Sequence, residues 1–204
     1  VTNIQKQIKI NTTAKVRESV ILELFGITKG CNLAKIDFEK RRAKILSRYP
    51  NFRAMKIKRV IPDKLEIDIE ERTPNVRLEE MPGKHKNRQY STGKVADSEG
   101  VVFKRSVGTE ALPVIYENPS QATRVGGKLS GRSRAALQLL DACKEAPYSD
   151  LGITTVHLSK KDYIIAVLGN FSIAKIAWQD MDEENASSKK YMLHQLRLLR
   201  DSVM

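Results

Sequence analysis

Residues that could carry out catalysis or bind a metal are few and far apart in this sequence. None of the three histidines, His85, His157 and His194, has a cysteine, aspartate or glutamate at metal-ligand spacing. Glu70 and Glu71 could form an acid–base pair, but adjacent residues of a strand point to opposite faces. We therefore expect no catalytic site, no metal and no cofactor.

Motifs that bind nucleotides or activate a nucleophile are also missing. Gly126-Gly127 lacks the strand–GxGxxG–helix context of a dinucleotide site, and neither GxSxG nor GxxxxGK occurs. Cys31 and Cys143 are too few and too far apart for a disulfide scaffold or a metal site. Because Cys143 falls on the apolar face of a predicted helix, we expect a buried thiol rather than a bridge.

The charge balance is the strongest feature of the composition. The 204 residues include 36 Lys and Arg against 24 Asp and Glu, a net charge of +12. Such a charge fits nucleic acid or an anionic membrane as well as a solvated basic surface. Aromatic residues make up 6% of the chain, and no basic helix carries interleaved aromatics that could stack on bases. Nucleic acid is therefore the less favoured partner, and we expect no small-molecule substrate.

The length fits one large or two small domains. No apolar run approaches the ~20 residues that span a bilayer. The chain begins at Val1 without a methionine or a signal-type apolar segment, as expected of a fragment or mature segment.

Residues 59–74 have the clearest structural pattern, since apolar and acidic residues alternate strictly. A period of two predicts a strand with one buried face and a solvated acidic row, Glu66, Asp68 and Glu70. Apolar and basic residues alternate just upstream, and Pro62-Asp63 between the two runs is typical of a turn. The two runs predict a β-hairpin whose buried face carries Met55, Ile57, Leu65, Ile67 and Ile69.

The register of this hairpin follows from keeping both apolar sets on one face. That condition requires a loop with an odd number of residues, such as residues 62–64. Arg59 would then lie near the turn with its head in water, and Glu71 near Met55 and Arg53.

The first part of the chain reads β-α-α-β-β. A strand is predicted at residues 5–11, with Thr12 or Thr13 capping a helix that closes near Gly26. Asp37 is placed to cap a second helix, Phe38 to about Arg48, which precedes the hairpin. Residues 1–76 therefore predict two helices packed on one face of a small sheet.

The second part mixes strands and helices. Residues 79–94 predict a long, basic, exposed loop or a flexible hairpin tip, and residues 95–103 a tight hairpin. Residues 112–115 predict an edge strand or an extended segment, since Pro113 is tolerated there. A helix at 133–144, strands at 153–158, 163–168 and 171–178, and a last helix capped by Ser187 or Ser188 follow. That helix carries an apolar stripe of Met192, Leu196, Leu199 and Val203.

Several motifs in this order resemble the FtsQ/DivIB family of bacterial cell-division proteins. The most specific block is Arg59-x-x-Pro62-Asp63-x-Leu65, which continues to Glu71-Arg72-x-Pro74. Residues 30–37, 49–51, 97–103 and 112–115 are similar in order and rough spacing. The motif residues carried over are Arg59, Pro62, Leu65, Glu71, Arg72 and Pro74.

The resemblance implies an α+β protein, with a polypeptide-transport-associated (POTRA) domain at 1–76 and a mixed, mainly antiparallel β domain with flanking helices at 77–204. It also implies a single N-terminal membrane helix outside this sequence, with these domains in the periplasm or extracytoplasmic space. Such proteins are non-enzymatic divisome scaffolds at the septum that bind FtsB-like and FtsL-like partners. Relatives carry one more strand after the last helix, and that strand helps to bind FtsB.

The strand at 171–178 is the predicted partner-binding segment. Its apolar residues fall on both faces, which is typical of a strand covered on both sides. It is either an open edge for strand addition or an ordinary central strand. The residues are Phe171, Ser172, Ile173, Ala174, Lys175, Ile176 and Trp178.

The function class and the role of Arg72 each allow more than one interpretation. The chain could instead be a POTRA-bearing assembly or transport component of the envelope, or a basic nucleic-acid-binding protein. Arg72 either pairs with Glu71 at the strand end or, as the resemblance suggests, positions the β domain against the POTRA domain.

Overall fold

The computed structural model describes residues 8–12, 18–28, 36–60, 64–81, 91–105, 107–160, 162–177 and 186–203. The chain forms two compact units, Val1–Arg72 and Thr73–Met204. The predicted boundary after residue 76 would assign Val76 to the first unit, whereas this residue begins a strand of the second sheet. No helix among the described residues is long and apolar enough to cross a membrane.

The first unit has the predicted β-α-α-β-β order. Its elements are β1 (Ile8–Thr12), α1 (Glu18–Leu24), α2 (Phe38–Arg48), β2 (Phe52–Val60) and β3 (Lys64–Glu71). The strands form one sheet in the order β1-β3-β2, with β3 parallel to β1 and antiparallel to β2. The central strand is therefore the one with the strictest alternation in the sequence.

The buried face of β3 forms the centre of this unit's core. Ile67 lies between Ile10 on β1 and Ile57 on β2, and its side chain is fully buried. Phe25, directly after α1, and Phe38, at the start of α2, add two rings to this core, with centroids 6.0 Å apart. The predicted face is confirmed, because alternation forces every second residue of β3 into the core.

The hairpin connection lies one residue earlier than predicted, so the strand pairing differs from the prediction by two residues. Val60 pairs with Lys64 and Arg59 with Leu65, so the connection consists of residues 61–63 and keeps the odd length. Met55 therefore faces Ile69 instead of Glu71, and its predicted position next to Glu71 was wrong. A β-bulge between Phe52 and Ala54 places Glu71 opposite Phe52, the residue before Arg53. A bulge adds one residue to one strand, which pattern alone does not reveal.

The helix caps of this unit were predicted in part. The Asp37 side chain accepts a hydrogen bond from the Lys40 backbone N–H at 3.0 Å, so the predicted cap of α2 is confirmed. The two predicted caps of α1 lie outside what the structure describes. For Thr12 this concerns its side chain, and for Thr13 the whole residue.

The second unit contains a seven-stranded mixed sheet and two longer helices. Its elements are β4 (Val76–Glu80), β5 (Lys94–Ala96), β6 (Val102–Lys104), β7 (Val114–Glu117), α3 (Gly131–Ala142), β8 (Thr155–His157), β9 (Tyr163–Val167), β10 (Ile173–Ala177) and α4 (Ala186–Val203). The strand order is β10-β9-β8-β7-β4-β5-β6. Among the described strands of this sheet, β4–β7 and β7–β8 are the two parallel pairs, so the sheet is mainly antiparallel, as predicted.

One strand of this sheet was placed wrongly by the sequence. β7 lies between β4 and β8, so the predicted edge strand at 112–115 is a central one. Pro113 lies just before the strand, so its missing backbone N–H does not interrupt the hydrogen bonds of the sheet. Its carbonyl oxygen accepts a hydrogen bond from the Arg77 backbone N–H at 2.9 Å.

The helices cover one face of the sheet with apolar residues. α3 packs against β7 and α4 against β10. Met192 and Leu196 of the predicted stripe are buried, whereas Val203 is exposed. α4 begins at Ala186, so Ser187 and Ser188 lie in its first turn rather than at the cap, and that prediction was wrong.

The predicted tight hairpin is formed by β5 and β6. Asp97 is buried in its turn, and its carboxylate accepts from the Val101 backbone N–H at 2.8 Å. Gly100 has φ +82, a conformation that a glycine adopts without strain. β4 extends through Glu80, so the predicted basic loop begins later than residue 79.

Candidate partner-binding edge

β10 forms one edge of the seven-stranded sheet. Among the described strands it pairs with β9 alone, in an antiparallel register that matches Ile173 with Val167 and Lys175 with Ile165. The opposite edge is β6, which is three residues long. The backbone of Val102 in β6 bonds Gly126 and Gly127 on its outer side, at 2.8 and 2.9 Å. Of the two edges, β10 is therefore the longer one whose outer side pairs with no strand in the described part of the chain.

The turn between β9 and β10 fixes which backbone groups face outward. The Leu168 N–H donates to the Ser172 carbonyl oxygen at 2.9 Å, and hydrogen-bonded and non-hydrogen-bonded pairs alternate along an antiparallel ladder. Ala174 is therefore turned toward β9. The backbone N–H and C=O groups of Ile173, Lys175 and Ala177 face away from β9, toward the edge.

The side chains of β10 divide into one covered and one exposed face. Ala174 and Ile176 are buried in the core that includes α4. Ile173, in contrast, is 69% exposed, and Lys175 is also exposed. The prediction of a strand covered on both sides was therefore wrong for these residues, and Trp178 lies outside the described part of the chain.

Phe171 belongs to the turn rather than to the strand, which corrects the predicted start of the strand. Its side chain is 88% exposed, and its φ of 64° lies in the left-handed region that favours glycine. The predicted partner residue Ser172 is held in the same turn, where its N–H donates to Asn170 Oδ1 at 2.9 Å. An aromatic ring thus extends into solvent beside the edge, at some cost in backbone strain.

The exposed face of β10 continues across the sheet as a row of larger side chains. Lys175, Ile165 and His157 lie side by side on β10, β9 and β8. The His157 ring stacks on Tyr116 with centroids 4.7 Å apart and an interplanar angle of 4°. Partial burial lowers the pKa of His157 from its ordinary value, so the neutral imidazole is favoured.

Two residues of the family motif hold the first unit together. Leu65 is fully buried in the core. The Arg59 guanidinium donates to the Ile36 carbonyl oxygen at 2.8 Å and lies 4.6 Å from the centre of the Phe38 ring. Arg59 is exposed near the turn, as predicted, and its head also contacts the carbonyl oxygen before α2 and the aromatic ring at the start of α2.

Glu71 and Arg72 meet the segment before β2. The Arg72 Nε donates to the Pro50 carbonyl oxygen at 3.1 Å, and its backbone N–H donates to the Asn51 carbonyl oxygen at 2.8 Å. Asn51 Nδ2 also donates to Glu71 Oε1 at 3.4 Å. The motif thus ties the end of β3 to the start of β2, while a role of Arg72 in positioning the β domain stays a prediction. Pro74 lies in the extended stretch after β3, and Pro62 lies outside the described residues.

The groups with potential for catalysis or metal binding are dispersed. Within the described ranges, no three His, Cys, Asp or Glu side chains lie close enough together to hold a metal ion. Cys143 is buried without a disulfide, as predicted, and burial raises the pKa of its thiol to about 11. His194 is exposed on α4, whereas His85 and Cys31 lie outside the described residues.

A buried carboxylate was missed by the sequence analysis. Glu117 on β7 lines a cleft at the start of α3 and accepts hydrogen bonds from Ser133 Oγ at 2.6 Å and from the N–H and hydroxyl of Thr123 at 3.3 Å. Its role in the fold is to tie α3 and the preceding segment to the sheet. An isolated glutamate at a strand end gives no sequence signal of this kind.

Comparison with known proteins identifies the first unit. Residues 4–72 match the family model for the POTRA domain, FtsQ-type. A search of curated proteins found no match. The match covers the hairpin and the motif residues Arg59, Leu65, Glu71 and Arg72, whose contacts build that unit. Residues 4–72 of this chain are therefore an FtsQ-type POTRA domain.

Proposed function

We propose that this chain is a non-enzymatic scaffold of the bacterial divisome that binds FtsB-like and FtsL-like membrane proteins at the septum. The FtsQ-type POTRA domain indicates a scaffold role in cell division. Proteins of this type are generally membrane-anchored with a periplasmic domain, so we place this region outside the cytoplasmic membrane. The observation that supports the partner-binding part of the proposal is the outer side of β10, which has no partner strand among the described residues.

Strand addition is the binding mode that this edge supports. A partner segment in extended conformation would bond the outward backbone groups of Ile173, Lys175 and Ala177, and these main-chain bonds would supply affinity. Ile173 and Phe171 offer exposed apolar surface next to those groups. Specificity would then come from apolar side chains of the partner that alternate along its strand.

The test removes one outward N–H without touching the pairing to β9. Lys175→Pro deletes such a donor and places a ring where the partner strand would lie, and proline is tolerated at an edge position of this kind. We expect the full chain to keep its fold and to bind the extracytoplasmic FtsB-like and FtsL-like segments of the same genome at least about tenfold more weakly. Fluorescence anisotropy of the labelled segments would measure the affinity, and circular dichroism the fold.

Lys175→Ala is the matched control, because it removes the same charge and keeps the N–H. It should lose much less affinity than the proline variant. Ala174→Pro is unsuitable, since Ala174 is turned toward β9 and proline there would break the ladder. A folded Lys175→Pro variant with native affinity would show that β10 is not the binding edge.

A further inference from the structure

The outer face of α2 carries a concentration of positive charge that the proposed scaffold role does not use. The helix holds five basic residues, Lys40, Arg41, Arg42, Lys44 and Arg48, and one acidic residue, Glu39. Lys40, Lys44 and Arg48 are exposed and follow one another at intervals of four residues. Residues at this spacing lie on one side of a helix, so the three form a basic stripe about 12 Å long.

The charges on the sheet of the same unit are arranged differently. Lys58 pairs in register with Glu66 and Lys56 with Asp68, while Arg53 forms an ion pair with Glu70 at 3.1 Å. Each residue of the acidic row on this sheet thus lies beside at least one basic residue, which confirms their predicted meeting. Lys9 and Lys64 also lie beside Glu66.

The basic stripe has no such compensation. Among the described residues no acidic side chain forms an ion pair with Lys40, Lys44 or Arg48, whereas Arg42 is bound by Glu39 at 2.7 Å. Surplus charge that is exposed and aligned on one helix face attracts a polyanion with an extended surface.

We propose that the Lys40–Lys44–Arg48 stripe docks the first unit onto the anionic phospholipid headgroups of a membrane. Each basic side chain near such a surface strengthens binding, and the attraction decays within a Debye length. The membrane location rests on the proposed function, since it places the first unit next to a bilayer.

Nucleic acid is the less suitable polyanion for this face. The residues between the basic side chains, Ala43 and Ser47, are small and exposed and offer no ring on which a base could stack. The neighbouring aromatic residue, Tyr49, packs against Phe52 with ring centroids 5.8 Å apart. Charge without stacking groups matches a layer of headgroups better than a strand of bases.

The experiment measures sedimentation of the full chain with vesicles of phosphatidylcholine, either pure or with about 30 mol% phosphatidylglycerol. We expect binding to the anionic vesicles alone, with strong weakening between roughly 0.05 M and 0.5 M salt. The triple variant K40Q/K44Q/R48Q should lower the partition coefficient roughly 100-fold at low salt. Glutamine is nearly as good a helix former as lysine or arginine, so α2 is kept.

A charge-matched control separates the stripe from net charge. R105Q/K128Q/K160Q removes two lysines and one arginine from exposed positions of the second unit and should change the partition coefficient less than about threefold. Equal losses in both triple variants, or no binding by the wild type, would overturn the proposal. So would binding to a single-stranded oligonucleotide through the same three residues without binding to vesicles.

Vesicle binding through the basic stripe and partner binding at β10 can be tested independently. Lys175→Pro should keep native vesicle binding, and K40Q/K44Q/R48Q should keep native affinity for the FtsB-like and FtsL-like segments. A folded Lys175→Pro variant that keeps native partner affinity would thus refute the proposed edge alone. A K40Q/K44Q/R48Q variant that keeps native vesicle binding would refute the lipid contact alone.

Discussion

Replacement of Phe171 by glycine should stabilise the second unit. A residue with a Cβ atom in the left-handed conformation costs about 1–2 kcal/mol, and Phe171 has φ 64. Glycine removes that cost but gains freedom in the unfolded chain, which offsets about 0.5–1 kcal/mol. Because the ring is 88% exposed, its removal sacrifices little buried surface. The expected net gain is about 0.5–1 kcal/mol.

Thermal unfolding of the full chain would measure this gain as a rise of roughly 2–4 °C in the transition of the second unit. Phe171→Ala separates the two causes, since alanine loses the ring but keeps the Cβ atom and therefore the strain. It should change stability by less than about 0.5 kcal/mol. If glycine destabilises the unit, or if alanine stabilises it equally, strain at this position is not the controlling factor.

The other predictions concern buried groups. Ile67→Asp should abolish the unfolding transition of the first unit, because a buried carboxylate costs several kcal/mol, whereas Ile67→Val should cost about 0.5–1.5 kcal/mol by the same melting experiment. His157 has a lowered pKa in the folded state, so its stabilising contribution is complete above pH ~6.5 and is lost as the pH falls below that value. Comparison of melting at acidic and neutral pH should therefore show a smaller pH dependence in His157→Phe than in the wild type. In a Cys31→Ser background, Cys143 of the folded protein should react with a disulfide reagent at pH 8 about 100-fold more slowly than Cys143 of the protein unfolded in urea. The reason is that a pKa of about 11 leaves little thiolate in the folded state. Equal rates would show that the thiol is accessible.

The sequence predicted those parts of the fold in which pattern and packing agree. The alternation in β3 identified both the strand and its buried face, because one side of that strand lies entirely in the core. Asp37 could be recognised as a cap because its hydrogen bond spans three residues of local chain. Signals of this kind are contained within a few neighbouring residues.

Features that depend on distant parts of the chain were not predictable. The central position of β7 follows from its pairing with β4 and β8, and Pro113 gave the opposite indication. Glu117 is buried because Ser133 and Thr123 reach it from other segments. At the candidate edge, apolar Ile173 was read as buried, although it faces solvent. A surface for a partner and a core position use the same residue types, and the sequence alone does not distinguish them.

The lysine at the centre of β10 also affects how copies of the chain meet. An open edge can pair with the same edge of a second molecule, and two such strands meet most simply in antiparallel orientation. If that pairing is centred on Lys175, the two ammonium groups lie directly opposite each other, and like charges in this position are destabilising. A foreign strand with an acidic or apolar residue there meets no such repulsion. Lys175 thus favours pairing of β10 with a strand of a different protein over pairing with a second copy of the chain.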